Sequence, residues 1–250
     1  MFTLVKSFYR RLRAKSQYVH AEHPTEPSTF ALNDLDLQLI RELDVSPNQP
    51  GFFVELGAND GLNQSNSFLL QRDYGWDGIL IEPSPSKYLE CVQNRSFSPS
   101  VKFTCAACVP FDYQEEFVPF EDSNLMSVCR GLTLSTADTT SHADLGAQFL
   151  KDPRFRIRYG ALARTLTSIL DENGAPANPD LLSLDVEGNE LAVLHGLDFK
   201  RYKFRWMLFE VRNGEIYNQI TSLLSTNGFM IHSVLHANDR YQDILFKKCA

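Results

Sequence analysis

The alternation of short apolar segments with helix-like stretches is the feature that most constrains the fold of this chain. Strand-like segments lie at 52–56, 78–82, 101–109, 181–185 and 204–211. Stretches with helical spacing lie at 64–73, 84–94, 188–197 and 214–226. We therefore predict a largely parallel sheet with helices on both faces. Residues 229–235 and 242–247 flank a polar turn, and they predict an antiparallel hairpin at the end of the sheet.

The length of the chain suits one large domain. It has 250 residues, of which 43% are hydrophobic, and this is enough to bury a core. Leucines at helical spacing follow a Pro-rich linker, so we predict one domain over 31–250 and a basic arm with a linker over 1–30. Residues 111–165 fit the alternation poorly, and we expect them to form an insertion over the ligand-binding edge of the sheet.

Charge is distributed unevenly along the chain. The first 20 residues hold five Lys and Arg and no acid, so removing this +5 from the net charge of −7 leaves −12 on the rest. The basic segment has a loose apolar face, which fits either an amphipathic helix on an anionic membrane or partner, or a solvated extension. The acidic total disfavours a dedicated nucleic-acid binder.

The cysteines predict a reduced, cytoplasmic protein, because the five of them show no spacing typical of a disulfide framework. Cys105 and Cys108 form a CxxC motif, but no second ligand pair at suitable spacing accompanies it. We expect this pair to contribute apolar packing. The oligomeric state stays open.

The turn after the first strand carries two glycines, Gly57 and Gly61, which permit a tight turn and a close approach of a ligand to the backbone. Asn59 stands where a dinucleotide-binding fingerprint has its middle glycine, so a pyrophosphate-binding loop is disfavoured.

Two acids close the first two strands. Glu55 suits an amino group, and Glu82 suits a ribose diol because a carboxylate accepts from both hydroxyls. An amino acid and a nucleoside joined without phosphate describe S-adenosylmethionine. The alternative is a structural turn followed by a surface Glu82.

Eight blocks of sequence carry a more specific pattern. They are 51–61 (GFFVELGANDG), 65–67 (SNS), 76–83 (WDGILIEP), 94–96 (NRS), 106–109 (AACV), 124–127 (NLMS), 182–191 (LSLDVEGNEL) and 242–247 (QDILFK). In these blocks the chain resembles the FkbM family of S-adenosylmethionine-dependent methyltransferases. The resemblance covers roughly residues 50–248, and the DVEGNE segment at 185–190 is its most specific part.

The resemblance implies an α/β class I methyltransferase fold, which is Rossmann-like, with a seven-stranded, mostly parallel sheet and a C-terminal antiparallel hairpin. It also implies methyl transfer from S-adenosylmethionine, most often to a hydroxyl of a sugar, glycan precursor or small metabolite. The residues implied at the cofactor are Glu55, Gly57, Ala58, Asn59, Gly61, Ser65, Asn66, Glu82, Pro83, Ala106, Ala107 and Asp185.

Methyl transfer to oxygen requires the acceptor proton to leave, assisted by a carboxylate, a histidine or a metal-polarised alkoxide. Asp185 and Glu210 close the fourth and fifth main strands, so they are the candidates for a base or a metal ligand. The alternative role of Asp185 is a structural cap. No metal ligand set is predicted, and dependence on a divalent metal stays open.

Five further residues are candidates for substrate contact: Glu187, Arg212, Arg156, Arg158 and His142. Arg156 and Arg158 would share one face of a strand and grip an acidic glycan, or else form a solvated face. For Glu187 the alternative to substrate contact is a negative charge that stabilises the N-terminus of the following helix.

Two other functions stay open. A Rossmann-type oxidoreductase is disfavoured by the missing G-x-G-x-x-G motif. A non-catalytic binding module with the methyltransferase fold is disfavoured because Glu55, Gly57, Glu82 and Asp185 are all present.

Overall fold

A computed structural model describes residues 29–47, 49–123, 126–133, 136–147, 156–212 and 214–249. The basic arm at 1–20 lies outside the described residues, so its contact with a membrane or partner stays a prediction. None of the helices in the described ranges combines the length and apolarity that a bilayer span requires.

The main sheet has seven strands. They are β1 (Phe52–Leu56), β2 (Asp77–Ile81), β3 (Val101–Thr104), β8 (Leu181–Leu184), β9 (Trp206–Arg212), β10 (Phe229–Ala237) and β11 (Tyr241–Lys248). Their spatial order is β10-β11-β9-β8-β1-β2-β3. Strands β3, β2, β1, β8 and β9 are parallel to one another, whereas β11 runs antiparallel to both β9 and β10. The predicted mostly parallel sheet with a C-terminal antiparallel hairpin is confirmed.

The helices are α1 (Leu35–Glu42, after a 3-10 turn), α2 (Phe68–Tyr74), α3 (Pro85–Arg95), α4 (Thr136–Ala147), α5 (Leu166–Glu172), α6 (Glu190–Leu194) and α7 (Glu215–Thr226). Successive strand residues alternate between two apolar clusters. Val54 and Leu182 belong to one cluster, and Phe53 and Leu181 belong to the other. Both faces of the sheet are therefore covered, which explains why its strands have continuous apolar sequences.

A second sheet has four strands. They are β4 (Ala107–Cys108), β5 (Phe117–Asp122), β6 (Val128–Cys129) and β7 (Ile157–Arg164), in the spatial order β4-β7-β5-β6. Three of them, β5, β6 and β7, come from the region predicted as an insertion.

The apolar run at 101–109 forms two strands rather than the single strand predicted. Its first half pairs with β2, and its second half pairs with β7 in the second sheet. The amide of Glu82 donates to the Thr104 carbonyl at 3.1 Å, and Val109 donates to the Arg164 carbonyl at 3.0 Å. Because both halves are apolar, periodicity alone does not separate them.

The segment between β1 and α2 is a loop for longer than predicted, since the helix begins at Phe68 and not near residue 64. Four loop residues have positive φ: Gly57 at 79°, Asn59 at 46°, Gly61 at 77° and Gln64 at 62°. Such angles are incompatible with a continuous right-handed helix. The structure also has α5, which the sequence patterns did not predict, and Thr165 caps its N-terminus by accepting from Ser168 N.

Candidate functional site

A cleft lies at the carboxyl ends of β1, β2 and β8. It encloses about 830 Å³ of non-protein space, part of it open to solvent. Leu56, Ile81 and Asp185, the residues that end or follow these strands, all line it. In open α/β sheets this edge is where ligands bind.

The turn after β1 fixes one wall of the cleft. Gly57 has a φ of +79°, and a β-carbon there would lie 1.9 Å from the carbonyl oxygen of Asp185. The amide of Gly57 donates to the Ile81 carbonyl at 3.1 Å, and the amide of Asp185 donates to the Leu56 carbonyl at 3.3 Å. Only glycine allows the ends of these three strands to approach so closely.

Glu82 presents its carboxylate at this wall. Its Oε2 accepts from the Asn59 amide at 2.8 Å, and its Oε1 accepts from the Ser84 amide at 2.8 Å. Each oxygen retains a second lone pair. Burial raises the pKa of Glu82 to about 7; Asp122 adds to this rise, whereas the two amides and Lys87 oppose it.

The cleft brings together eight of the predicted site residues. They are Gly57, Asn59, Glu82, Pro83, Ala106, Ala107, Asp185 and Glu187. Asn59 Oδ1 and Asp185 Oδ1 are buried, and neither has a hydrogen-bond partner within the described ranges. Buried acceptors without a partner are costly, so these two atoms fit a ligand that donates hydrogen bonds.

Glu55 is not among the described residues that line the cleft, contrary to its predicted contact with a cofactor. Its buried carboxylate accepts from Ser65 Oγ at 3.0 Å, from the Asn66 amide at 2.8 Å and from Ser67 Oγ. These bonds occupy both oxygens, and Arg95 Nη1 lies 3.9 Å away. We therefore reassign Glu55 to the support of the loop after Gly61.

The other predicted cofactor residues outside the cleft lining share this supporting role. Ala58 packs into the core, and Asn66 Nδ2 donates to Ser183 Oγ at 3.0 Å. Ser65 is held between Glu55 and Arg95.

Arg95 is a buried residue to which the sequence patterns gave no role, although it lies in the NRS block. Its guanidinium donates to the Gly61 carbonyl at 3.0 Å and to Ser65 Oγ at 3.1 Å. A β-carbon on Gly61 would lie 2.7 Å from Arg95 Cγ, so the second glycine gives room to this side chain and not to a ligand. Burial lowers the pKa of Arg95, and Glu55 opposes that shift.

The second sheet and the residue before β6 form another wall of the cleft, which Phe120, Ser127 and Cys129 line. An insertion over this edge was expected from the sequence, but these residues were not named. The split of the run at 101–109 also brings Ala107 and Cys108 into the lining.

An acidic cluster lies beside the cleft, formed by Asp185, Glu187 and Glu210. One carboxylate oxygen from each lies within 4.8 Å of the others. Burial raises the pKa of Asp185 well above its usual value, and Glu210 and Glu187 add to the shift. Burial raises the pKa of Glu210 to about 8, with Glu187 and Asp243 adding and Arg212 opposing.

Two further acids adjoin this cluster, and the sequence patterns gave neither a site role. Asp243 pairs directly with Glu210 across β11 and β9, and burial raises its pKa to about 7 against a hydrogen bond from Asn33. Glu190 accepts from the amides of Val186 and Gly188 through Oε1, and burial raises its pKa to about 7. A local sequence pattern cannot show that Asp243 lies next to Glu210, because the register of two strands brings the two residues together.

Glu187 is held at this place by an unusual backbone. Its φ is +58°, which residues other than glycine rarely adopt, and Gly188 follows at +92°. Its carboxylate faces Arg212, whose Nη2 lies 3.7 Å from Glu187 Oε2. The structure thus pairs Arg212 with Glu187.

The predicted substrate arginines are held by an intramolecular partner. Arg156, Arg158 and Arg130 all contact Glu121, which is fully buried. Burial alone would raise the pKa of Glu121, but hydrogen bonds from Arg130, Arg158 and Arg156 keep it below its usual value. Only the backbone of His142 is described, in α4, so its substrate contact stays a prediction.

The chain matches one known protein family over most of its length. Residues 55–241 match the family described as the methyltransferase FkbM domain. No curated protein sequence matches the chain.

Three solved structures are similar in fold. TrmK from M. capricolum with S-adenosyl-homocysteine is 10% identical, with 84% of this chain and 67% of that chain covered and a TM-score of 0.45. Precorrin-6y C5,15-methyltransferase from Geobacter metallireducens is 9% identical, with 90% and 93% covered and a TM-score of 0.48. Magnesium protoporphyrin IX methyltransferase from Synechocystis is 11% identical, with 99% of each chain covered and a TM-score of 0.41. At these identities and TM-scores the likeness carries no conclusion about the site or the activity.

Proposed function

Since the chain belongs to the FkbM methyltransferase domain family, we propose that it transfers a methyl group from S-adenosylmethionine to a hydroxyl oxygen of a sugar, glycan precursor or small metabolite. One observation carries the proposal: the cleft that presents Glu82 also contains Asp185, one member of a cluster of three carboxylates. A site for a nucleoside and a site for removing a proton therefore adjoin each other.

The cleft fits the cofactor in three places. The second lone pairs of Glu82 would accept from the two ribose hydroxyls. The unpartnered Asn59 Oδ1 would accept from the ammonium of the methionine part, a role that the sequence had suggested for Glu55. The small, buried Ala106 and Ala107 would lie against the adenine, together with Phe120, which belongs to the same sheet as Ala107. Bound in this way, S-adenosylmethionine supplies a methyl group on a positively charged sulfur, ready for attack by an oxygen.

The residues around Asp185 would serve the acceptor. A hydroxyl becomes a good nucleophile when its proton is taken as the new bond forms. Asp185 directly follows β8 and Glu210 lies in the last part of β9, and their carboxylates would orient the hydroxyl and receive its proton. In their ionised form these carboxylates would also favour the approach of a sulfonium. Holding the two reactants in line would contribute much of the rate enhancement.

Binding of S-adenosylhomocysteine, measured by calorimetry, tests the cofactor part of the proposal. We expect wild type to bind with one site per chain and Glu82→Ala to bind at least tenfold more weakly, because a hydrogen-bonded carboxylate is lost. The matched control is Glu172→Ala, an acid-to-alanine change at a half-exposed position on α5. Absence of binding by the wild-type chain would contradict the proposal.

Methyl transfer itself is tested with isotopically labelled S-adenosylmethionine and extracts of glycans and small metabolites. Mass spectrometry should detect label as an O-methyl group on an acceptor. Label found on a nitrogen or carbon would contradict the choice of oxygen and leave methyl transfer in place.

A further inference from the structure

The acidic cluster has the dimensions of a cation site. One oxygen each from Asp185, Glu187 and Glu210 lies within 4.8 Å of the other two. Oxygens within 4.8 Å of one another lie at most about 2.8 Å from a common centre, and magnesium, manganese and calcium ions bind oxygens at about 2.0–2.6 Å, so small side-chain movements suffice. The three carboxylates can therefore reach a single ion placed between them.

The surroundings of the cluster provide a second, independent observation. Asp243 is only 3% exposed, yet its Oδ2 has no hydrogen-bond partner among the residues that the structure describes. It lies directly opposite Glu210 in the antiparallel pairing of β11 and β9, so its side chain projects from the same face of the sheet. Asp185 Oδ1 is likewise buried without a partner. Two buried carboxylate oxygens without a hydrogen-bond partner in the described part of the chain therefore belong to the cluster or to the residue paired with it.

The negative charge of the acidic cluster and of Asp243 also favours binding of a cation. Asp185, Glu187, Glu210 and Asp243 bring up to four negative charges to one place, and Arg212 pairs with Glu187 at 3.7 Å at its margin. Like charges out of bulk water repel strongly unless a counter-charge compensates them. Carboxylates without cysteine or histidine favour a hard, oxygen-binding metal over zinc or copper.

We propose that Asp185, Glu187 and Glu210 bind one divalent cation of the magnesium or manganese type, with Asp243 holding the outer side of the site. The cation adjoins the cleft because Asp185 and Glu187 line it. It leaves coordination positions open toward the cleft, since three protein oxygens do not fill an octahedron. Its catalytic meaning rests on the proposed function: an acceptor hydroxyl bound to the cation loses its proton more readily. The oxygen of Asp185 or Glu210 that does not bind the ion then receives this proton.

Binding of Mn²⁺ to the full-length chain, followed by electron paramagnetic resonance, tests the site without using activity. We expect one saturable site per chain from which Mg²⁺ displaces Mn²⁺. Asp185→Asn and Glu210→Gln should each weaken Mn²⁺ binding at least tenfold. The matched control Glu172→Gln removes a carboxylate on α5 that pairs with Arg164, and it should bind Mn²⁺ like wild type.

Thermal unfolding gives a second readout. A ligand of the native state raises the melting temperature, so Mg²⁺ should stabilise wild type and leave Asp185→Asn unchanged. If Asp185→Asn does not fold, Glu187→Gln, which is partly exposed, should show the same loss of Mn²⁺ binding.

Wild type that shows no saturable binding at millimolar Mn²⁺ would overturn the cation site, and so would binding that survives the double change Asp185→Asn with Glu210→Gln. These failures are distinct from failure of the proposed function. Transfer of label that continues unchanged with a chelator would reject the cation and retain the methyltransferase. Mn²⁺ binding by a chain that does not bind S-adenosylhomocysteine would support the cation site and reject the proposed cofactor.

Discussion

A β-carbon on Gly57 would lie 1.9 Å from the carbonyl oxygen of Asp185, so the turn after β1 and the end of β8 are in direct backbone contact. This contact joins the wall that presents Glu82 to the strand end that begins the acidic cluster. The geometry of the whole cleft therefore depends on one residue without a side chain.

We expect Gly57→Ala to destabilise the protein severely. An alanine at a φ of +79° costs about 1–2 kcal/mol from the backbone alone, and the overlap with Asp185 adds to that. Gly174→Ala is the control, because Gly174 has a φ of +66° but open space within 4 Å of the place that a β-carbon would take. Urea unfolding should show a larger loss for Gly57→Ala than for Gly174→Ala. Equal losses would mean that the contact with Asp185 relaxes.

Affinity for S-adenosylhomocysteine should rise with pH through Glu82. Burial holds the pKa of this carboxyl at about 7, and only the ionised form accepts from both ribose hydroxyls. Between pH 6 and pH 8 the ionised fraction increases roughly tenfold, and the association constant should follow. The charged groups that face Glu82, Asp122 and Lys87, remain as they are in Glu82→Gln, which should bind weakly at both pH values. A flat profile for wild type would remove Glu82 from the ribose site.

The stability of the unliganded protein should depend on Glu82 in the opposite direction. The folded-state pKa of about 7 lies above the ordinary value of 4.5, so the native state binds more protons than the unfolded state between these limits. The contribution of Glu82 is complete below pH 4.5 and is lost as the pH rises through 7. When urea unfolding is measured at pH 5 and at pH 8, the free energy of unfolding of wild type should therefore fall, relative to that of Glu82→Gln, as the pH rises. A constant difference between the two proteins would contradict the raised pKa.

Arg95 should matter to stability more than any surface arginine. Its guanidinium is fully buried beside Glu55 and donates to the Gly61 carbonyl, so Arg95→Met leaves Glu55 without its cation. Removing one partner of a buried pair typically costs about 3–5 kcal/mol. The control Arg72→Met breaks a partly exposed ion pair with Asp73 and should cost less than about 1 kcal/mol. Similar midpoints in urea would refute the supporting role of Arg95.

Asp185→Asn should reduce turnover much more than cofactor binding. The change keeps the shape of the side chain but removes the charge that would receive the acceptor proton or hold a cation. A loss of roughly 100-fold or more in kcat is typical when such a group is removed. The dissociation constant for S-adenosylhomocysteine, measured on the same preparation, should change by less than about threefold. Comparable losses in both would assign Asp185 to the positioning of the cofactor.

Local sequence patterns predicted correctly those features that depend only on one strand and the turn that follows it. The strand before Gly57, the glycine turn and Glu82 at the end of β2 all depend on neighbours in the chain, and the structure agrees with each. The same patterns failed at 101–109, because an apolar run does not show which of two sheets it joins.

The sequence by itself determined the alternating sheet, the antiparallel end and the position of the cleft, since these follow from hydrophobic periodicity and from where strands end. Only the tertiary structure decided which acids meet. The carboxylate of Glu55 is occupied by hydrogen bonds from Ser65 and Asn66 and by the nearby cation of Arg95. Asp243, in contrast, lies beside Glu210 because the register of β11 and β9 pairs them. The physical reason is that a carboxylate's role depends on the partners brought to it through space, and partners such as Arg95 and Asp243 are distant along the chain from the acids that they meet.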